Sequence, residues 1–173
     1  MTRRIAVTGA TGFIGRHLVA HLSAGDIEIR AVVRPQSRHP LPAGATVVRA
    51  ALDASALGNA FDGVDAVVHL AGLVSTSEDR AYIAVNVEGT RAVAEAARAA
   101  GARMIHVSSL AAAGPAPASR PRVEHDPPAP VTPYGRSKLE SERIVSSLAG
   151  LDWMILRPGV VYGPGDRAML PLF

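Results

Sequence analysis

Short apolar runs alternate along the chain with longer segments whose apolar residues recur at helical spacing. Several of the runs are continuously apolar, which is typical of strands covered on both faces of a sheet. Regular alternation of strands and helices indicates βα units and a parallel sheet, so the predicted fold class is α/β. The predicted strands are residues 5–7, 27–33, 46–48, 66–70, 104–107 and 153–156.

Three helices are predicted between these strands. The first covers residues 12–23 and stops near Gly25, and the second runs from about residue 77 to Gly101. The third begins with Thr132 as the N-cap and Pro133 as its first residue, and continues to about Leu148. Residues 114–131 contain six prolines and are predicted to form a long surface loop.

The turn between the first strand and the first helix carries three glycines spaced three residues apart. Gly9 permits a tight bend, Gly12 lets a ligand approach the backbone, and Gly15 lets the helix pack close to the sheet. Free N–H groups at the helix start, together with the positive end of its dipole, suit a pyrophosphate. A glycine-rich turn without a ligand is the alternative interpretation.

Composition excludes several kinds of site. The 173 residues predict one domain, and the absence of cysteine excludes disulfides, thiolate catalysis and cysteine-ligated zinc. A chain without cysteine also suits the reducing cytoplasm. His17 and His21 lie four residues apart on a predicted helix, but no third ligand is indicated, so no metal site is expected.

Charge and hydropathy argue against nucleic-acid and membrane partners. The net charge is only +3 and the arginines are scattered rather than clustered, so nucleic-acid binding is not expected. The apolar run after Arg4 ends within a few residues, so it is neither a signal peptide nor a membrane span. His69 and His106 are expected to be structural, and Glu124 and Asp126 to be solvated loop residues.

Tyr134 and Lys138 lie four residues apart, so both project from one face of the third helix. This is the arrangement that a tyrosine acid/base requires, because a nearby ammonium favours the phenolate and should lower the pKa of the phenol. An ordinary surface pair of tyrosine and lysine is the alternative.

Taken together, these features resemble the extended short-chain dehydrogenase/reductase family, which includes sugar-nucleotide epimerases, dehydratases and NAD(P)-dependent reductases. The resemblance implies a Rossmann-like, doubly wound parallel sheet. It also implies that residues 1–173 form the NAD(P)-binding domain and lack most of a C-terminal substrate lobe. The matching segments are residues 8–15, His69-Leu70-Ala71-Gly72, residues 86–90, Ser108-Ser109, Tyr134 with Lys138, and Arg157-Pro158-Gly159.

The resemblance also assigns roles to individual residues. It implies that Tyr134 is the acid/base, that Lys138 holds the nicotinamide ribose, and that Ser109 hydrogen-bonds the reacting oxygen, with Ser108 as the second candidate. The expected cofactor-binding residues are Gly9, Thr11, Gly12, Phe13, Ile14, Gly15, Arg34, Leu52, Asp53, Leu70, Ala71, Gly72, Asn86, Tyr134, Lys138, Pro158, Val160 and Val161.

The end of the second strand bears on the choice of cofactor. NAD-preferring relatives usually have an acidic residue there, whereas this chain has Val33 followed by Arg34. A 2′-phosphate held by Arg34, joined by Arg38, predicts NADP, with NAD as the alternative. After the third strand Leu52 fits the family pattern for adenine contact, but the aspartate is displaced to Asp53.

The expected function is NAD(P)-dependent hydride transfer between nicotinamide and a small carbonyl or hydroxyl substrate. One alternative is a sugar-nucleotide epimerase or dehydratase with tightly held NAD, and another is a non-catalytic nucleotide-sensing module. Resemblance further implies a homodimer formed through helices near residues 77–100 and 132–148. A cytoplasmic location is expected.

Overall fold

The computed structural model describes residues 2–40 and 42–166 and contains one six-stranded parallel sheet. The strand order is β3-β2-β1-β4-β5-β6. The chain therefore moves outward from β1 and then returns to place β4 on its other side. A crevice opens between the carboxyl ends of β1 and β4 at this reversal. The strands are β1 (Arg3–Thr8), β2 (Ile27–Val33), β3 (Thr46–Arg49), β4 (Ala66–His69), β5 (Arg103–Val107) and β6 (Trp153–Leu156).

Helices cover both faces of the sheet, which confirms the predicted Rossmann-like α/β class. They are α1 (Phe13–Leu22), α2 (Ala54–Phe61), α3 (Asp79–Tyr82), α4 (Gly89–Ala99) and α5 (Pro133–Ser147). A π-helical turn (Ile83–Glu88) joins α3 to α4, and a 3-10 turn (Leu110–Ala112) follows β5. None of the helices in the described ranges is both long and apolar enough to span a bilayer.

Two apolar clusters hold these layers together. Phe61, Val93 and Val145 bring α2, α4 and α5 onto one face of the sheet. On the other face, Val19 of α1 packs with Ile29 of β2. Neighbouring residues along a strand enter opposite clusters, because successive side chains of a strand point to opposite faces. Both faces are therefore buried around the central strands, as the continuous apolar runs predict.

The predicted strands are confirmed to within one or two residues at their ends. The first and third helices are also confirmed, and the Thr132 hydroxyl accepts a hydrogen bond from Gly135 N at 3.0 Å as the predicted N-cap. The second predicted helix is interrupted by the π-helical turn. Helix α2 was not predicted, and it begins where the Asp53 carboxylate accepts a hydrogen bond from Ala56 N at 2.9 Å.

The proline-rich segment of residues 114–131 is a loop, as predicted, and it is held by its own hydrogen bonds. Arg120 makes two 2.8 Å bonds to the carboxylate of Asp126. These bonds lower the pKa of Asp126 to about 2. Ala129 N donates to Ala113 O at 2.9 Å, which fastens the end of the loop beside the start of α5. Asp126 is therefore an ion-pair partner within the loop.

Candidate active site

The glycine turn after β1 requires glycine for steric reasons. Gly9 has a φ of 71°, and a Cβ on Gly9 would lie 2.6 Å from Ala71 N. A Cβ on Gly15 would lie 2.8 Å from Ala10 Cα. Any side chain at these positions would force the turn away from the end of β4 or push α1 off the turn. The backbone can therefore approach both β4 and a ligand closely.

The start of α1 fits an anionic group. Gly12 is the N-cap and has no side chain with which to satisfy the amides of the first helical turn. The first turn also contains no acidic residue. Uncapped N–H groups and the helix dipole therefore favour a phosphate at this point. This turn suits the pyrophosphate of a dinucleotide.

Two adjoining cavities meet at the glycine turn. The tyrosine cavity, which contains Tyr134, has a volume of about 820 Å³, and the arginine cavity, which contains Arg34, has a volume of about 710 Å³. Both are lined by Gly9, Gly12, Phe13, Leu70 and Gly72. The tyrosine cavity also contains the predicted residues Ile14, Gly15, Ser109, Tyr134, Lys138, Pro158, Val160 and Val161. The arginine cavity adds Thr11, Arg34, Leu52 and Ala71.

Three polar side chains meet at the wall of the tyrosine cavity. Tyr134 and Ser109 both line this cavity, and the Ser109 hydroxyl, which lies close enough to Tyr134 to act on its pKa, accepts from Ala111 N at 3.2 Å. Lys138 follows one helical turn later and donates to Val107 O at 2.9 Å. Ser108 is turned away from Tyr134 and donates to the carboxylate of Glu142 at 2.5 Å. The geometry therefore favours Ser109 over Ser108 as the partner of Tyr134.

The pKa of Tyr134 differs from the prediction that Lys138 would lower it. Burial raises the pKa of the phenol, the hydrogen bond from Ser109 opposes that shift, and the nearby Tyr82 raises the pKa further. The ammonium of Lys138 donates a hydrogen bond to the backbone carbonyl of Val107. Burial also lowers the pKa of Lys138 itself to about 8, with Glu142 acting in the opposite direction. In this structure the neutral phenol is the favoured form.

A buried ion pair behind the cavity was not predicted from the sequence. Glu142 is 4% exposed and accepts bonds from Arg157 Nε at 2.9 Å and Arg157 Nη2 at 2.6 Å. Together with its bond from Ser108, this carboxylate ties α5 to the segments after β5 and β6. The sequence signal is spacing, because Glu142 lies four residues after Lys138 and eight after Tyr134 on one helix face. Glu142 supports the cavity wall from behind.

Asn86 holds the loop after β4 in place and does not line either cavity. Its side chain accepts from Leu73 N at 2.7 Å and donates to Leu73 O at 2.9 Å and Ser137 Oγ at 3.0 Å. The side chain is 1% exposed. Asn86 therefore fastens the Leu73 backbone to Ser137 of α5, and its predicted contact with the cofactor stays a prediction.

Asp53 is likewise placed differently from its prediction. It lies outside the described linings of both cavities, and its carboxylate caps α2. Leu52 does line the arginine cavity, where its neighbours include Arg16, Gln36 and His39. Arg38 is exposed and outside that lining. Of the two arginines predicted to hold a 2′-phosphate, only Arg34 is in the described lining of this cavity.

Two buried histidines stack beneath the site, with ring centroids 5.4 Å apart. His69 bonds Thr8 Oγ1 at 2.7 Å and Thr90 Oγ1 at 3.0 Å. Because Thr90 gives its only hydroxyl proton to Asn86 O, it must accept from His69. Burial lowers the pKa of His69 to about 3, and burial also lowers the pKa of His106. Both rings are therefore neutral structural groups, as predicted.

We expect the free energy of unfolding to decrease as pH falls below 6.5, the ordinary histidine pKa. The folded pKa values of His69 and His106 are lowered, so the unfolded chain binds more protons in this range. Each ring can remove up to about 1.4 kcal/mol of stability per pH unit. Urea unfolding at pH about 7.5 and about 5.5 measures this loss, above the range in which carboxylates titrate.

The exposed His125 provides the control for this pH dependence. Replacing it by Gln should leave the slope of stability against pH unchanged, because that side chain stays in water in both states. Equal unfolding free energies of the unmodified chain at the two pH values would contradict the assignment of two neutral rings.

No cluster of three or more potential metal ligands occurs in the parts of the chain that the structure describes. Of the two histidines on α1, His17 shares a 3.0 Å hydrogen bond with Pro164 O and contacts Phe13 edge-on. This histidine links α1 to the segment after β6.

Comparison with known proteins shows the family of this chain. The profile described as the NAD dependent epimerase/dehydratase family matches residues 5–173. Ceramide reductase from Caulobacter vibrioides is 39% identical over 172 residues, covering 98% of this chain and 50% of that protein. Sterol demethylase protein B from Methylococcus capsulatus is 39% identical over 170 residues, covering 92% of this chain and 52% of that protein.

A solved structure, MoeE5 in complex with UDP-glucuronic acid and NAD, has a TM-score of 0.83 at 33% identity. The match covers 95% of this chain and 57% of that one. The chain spans about half the length of the curated relatives it matches. The profile match and the identities nevertheless extend over nearly all of the chain, and they confirm the resemblance inferred from the motifs. The chain belongs to the NAD-dependent epimerase/dehydratase family.

Proposed function

We propose that residues 1–173 form the NAD(P)-binding and catalytic domain of an oxidoreductase that interconverts a carbonyl and a hydroxyl group. One observation carries the proposal: Ser109, Tyr134 and Lys138 line the same cavity as the uncapped start of α1. The relative from Caulobacter vibrioides is named a reductase, and the MoeE5 structure contains NAD. A small-molecule substrate follows from this reaction class.

Each part of the site then has a distinct task. The amides at the start of α1 hold the pyrophosphate, and the arginine cavity holds the adenosine end. A bound nicotinamide dinucleotide supplies the hydride in reduction or accepts it in oxidation. Tyr134 donates the proton that completes the alcohol, while Ser109 hydrogen-bonds the reacting oxygen. Lys138 contributes positive charge beside the cofactor ribose, and Asn86 and Glu142 keep the wall in position.

The protonated phenol of Tyr134 is the form that the reductive step uses. Burial raises the pKa of its phenol, so the group carries a proton that it can donate to a carbonyl oxygen. A sugar-nucleotide epimerase with tightly held NAD is the second candidate, because MoeE5 was solved with UDP-glucuronic acid and NAD. Net consumption of NADPH with a carbonyl substrate would support the reductase. Conversion of a UDP-sugar without net cofactor consumption would support the epimerase.

We further propose that NADPH is preferred over NADH because Arg34 binds the 2′-phosphate. Arg34 is exposed and lines the arginine cavity, so its guanidinium is available for a bidentate phosphate contact. Replacing Arg34 by Ala should weaken NADPH binding by about 10- to 100-fold and leave NADH binding within about twofold. Isothermal titration calorimetry with each cofactor measures both constants.

Arg38→Ala is the matched control, because Arg38 is a nearby exposed arginine outside the cavity lining. Its NADPH affinity should stay close to that of the unmodified chain. Equal affinities for NADPH and NADH in the unmodified chain would refute the NADP preference. Absence of binding to both would refute the proposed function itself.

Two further expectations stay predictions. A homodimer formed through α4 and α5 rests on family resemblance, and light scattering on the purified protein would measure its mass. A cytoplasmic location rests on the absence of cysteine. Neither is needed for the chemistry proposed above.

A further inference from the structure

The two cavities differ in chemical character. The arginine cavity contains Arg16, Arg34 and His39 in its wall. The wall of the tyrosine cavity is largely apolar beyond the glycine turn, with Leu73 and Val74 on one side and Leu110, Ala111 and Val131 on the other. One ligand lying across both cavities would therefore have its charged part in the arginine cavity. A second ligand beside Tyr134 would meet mainly hydrocarbon.

The polar side chains in the wall of the tyrosine cavity are largely occupied by protein partners. Ser108 donates to Glu142, Lys138 donates to Val107 O, and Thr132 accepts from Gly135 N. Tyr134 and Ser109 both line this cavity. These two hydroxyls suit a single carbonyl or hydroxyl oxygen. The remaining wall offers little hydrogen bonding to the rest of a substrate.

Charge in the tyrosine cavity disfavours a nucleotide diphosphate as substrate. Among the described wall residues, Lys138 is the only cation. The start of α1 is assigned to the cofactor pyrophosphate in the proposed function. A second diphosphate would then bring negative charges to a wall with one largely buried ammonium, and burying unpaired charge is strongly unfavourable.

The mouth of the tyrosine cavity carries exposed apolar side chains. Val74, Leu110 and Val131 are 72%, 53% and 68% exposed, although each lines the cavity. Exposed apolar groups gathered beside a catalytic pair mark a ligand-binding surface more often than isolated surface residues do. Covering them with hydrocarbon would remove apolar surface from water.

We propose that the tyrosine cavity binds an uncharged ketone, or the matching secondary alcohol, with an extended hydrocarbon portion. This inference rests on the proposed function. In the reduction, the carbonyl carbon receives a hydride from NADPH and the oxygen receives a proton from Tyr134. The C=O π bond breaks, two electrons enter the new C–H bond, and NADP⁺ leaves with the alcohol. Solvent then returns a proton to Tyr134.

A series of straight-chain 2-alkanones tests the inference on the full-length gene product with NADPH. We expect kcat/KM to rise roughly two- to fourfold for each methylene that becomes buried, until the cavity is filled. UDP-glucose and UDP-glucuronic acid should give neither reduction nor epimerisation. A flat response to chain length, or preferred turnover of a UDP-sugar, would overturn the apolar substrate and leave cofactor binding unaffected.

Replacing valine by threonine keeps the shape of the side chain and tests whether the substrate contacts that position. Val131→Thr and Val74→Thr should each lower kcat/KM for the longest good substrate by about fivefold, because a hydroxyl replaces a methyl against hydrocarbon. Val123→Thr is the control, since Val123 is 55% exposed in the proline-rich loop and outside the cavity lining. Equal losses in all three variants would also overturn the inference. Calorimetry of NADPH binding in each variant separates this failure from a failure of the proposed function.

Discussion

Replacing Tyr134 by Phe in the full-length gene product should lower kcat by about 10²- to 10⁴-fold. The substitution keeps the aromatic ring, which packs beside Tyr82 at a centroid distance of 6.1 Å. It removes only the hydroxyl that we propose as the proton donor. The loss therefore belongs to proton transfer rather than to packing. Stopped-flow measurement of NADPH oxidation gives the rate, and calorimetry shows whether NADPH still binds.

Tyr82→Phe provides a matched control for that result. The Tyr82 hydroxyl donates to Val74 O at 3.1 Å, and Tyr82 lies outside the lining of the tyrosine cavity. Loss of the Tyr82 hydroxyl should change kcat only a few-fold. Unchanged turnover in Tyr134→Phe would refute the acid/base assignment. A similar large loss in both variants would instead show that the effect is not specific to the Tyr134 hydroxyl.

Replacing Arg157 by Ala should lower the free energy of unfolding by about 3 kcal/mol or more. The carboxylate of Glu142 is buried and receives two bonds from Arg157, so the variant leaves a buried charge whose remaining side-chain hydrogen bond among the described residues comes from the Ser108 hydroxyl. Leaving one member of a buried ion pair without its partner is unfavourable because the charge is no longer solvated. Urea unfolding followed by circular dichroism measures the change.

Two further variants make the stability result specific. Arg143→Ala removes the exposed partner of Glu140 and should change the free energy of unfolding by about 0.5 kcal/mol or less. Adding Glu142→Gln to Arg157→Ala removes the stranded charge and should recover part of the lost stability. If Arg157→Ala is no more destabilising than Arg143→Ala, the ion pair does not hold the cavity wall.

The sheet was predictable because apolar periodicity reports burial directly. All six strands are found near their predicted positions, since parallel strands covered on both faces leave continuous apolar runs in the sequence. Helix α2 was missed although its signals are present. Asp53 is an N-cap residue, and Leu57, Ala60 and Phe61 follow at helical spacing. The sequence analysis considered Asp53 only as a contact of the cofactor, so its role as the N-cap of α2 was not predicted.

Site residues were predictable where the motif itself requires their chemistry. The tyrosine cavity brings together four of these residues from three separate segments of the chain: Gly9, Ser109, Tyr134 and Lys138. Asn86 and Glu142 show the limit of the motif, because tertiary packing directs their side chains to Leu73 and Arg157. The pKa of Tyr134 shows a second limit. Spacing placed an ammonium near the phenol, but burial raises the pKa of Tyr134.

The strand order also bears on how the chain folds during synthesis. β1 is synthesised first, but in the complete sheet it lies between β2 and β4. Arg3 pairs with Ile27 of β2, and Ile5 pairs with Ala66 of β4. Until β4 leaves the ribosome, a nascent β3-β2-β1 sheet has β1 as an open edge with unpaired backbone groups. Open edges favour pairing with other chains. The strand that carries the glycine turn therefore has an open edge until β4 is synthesised.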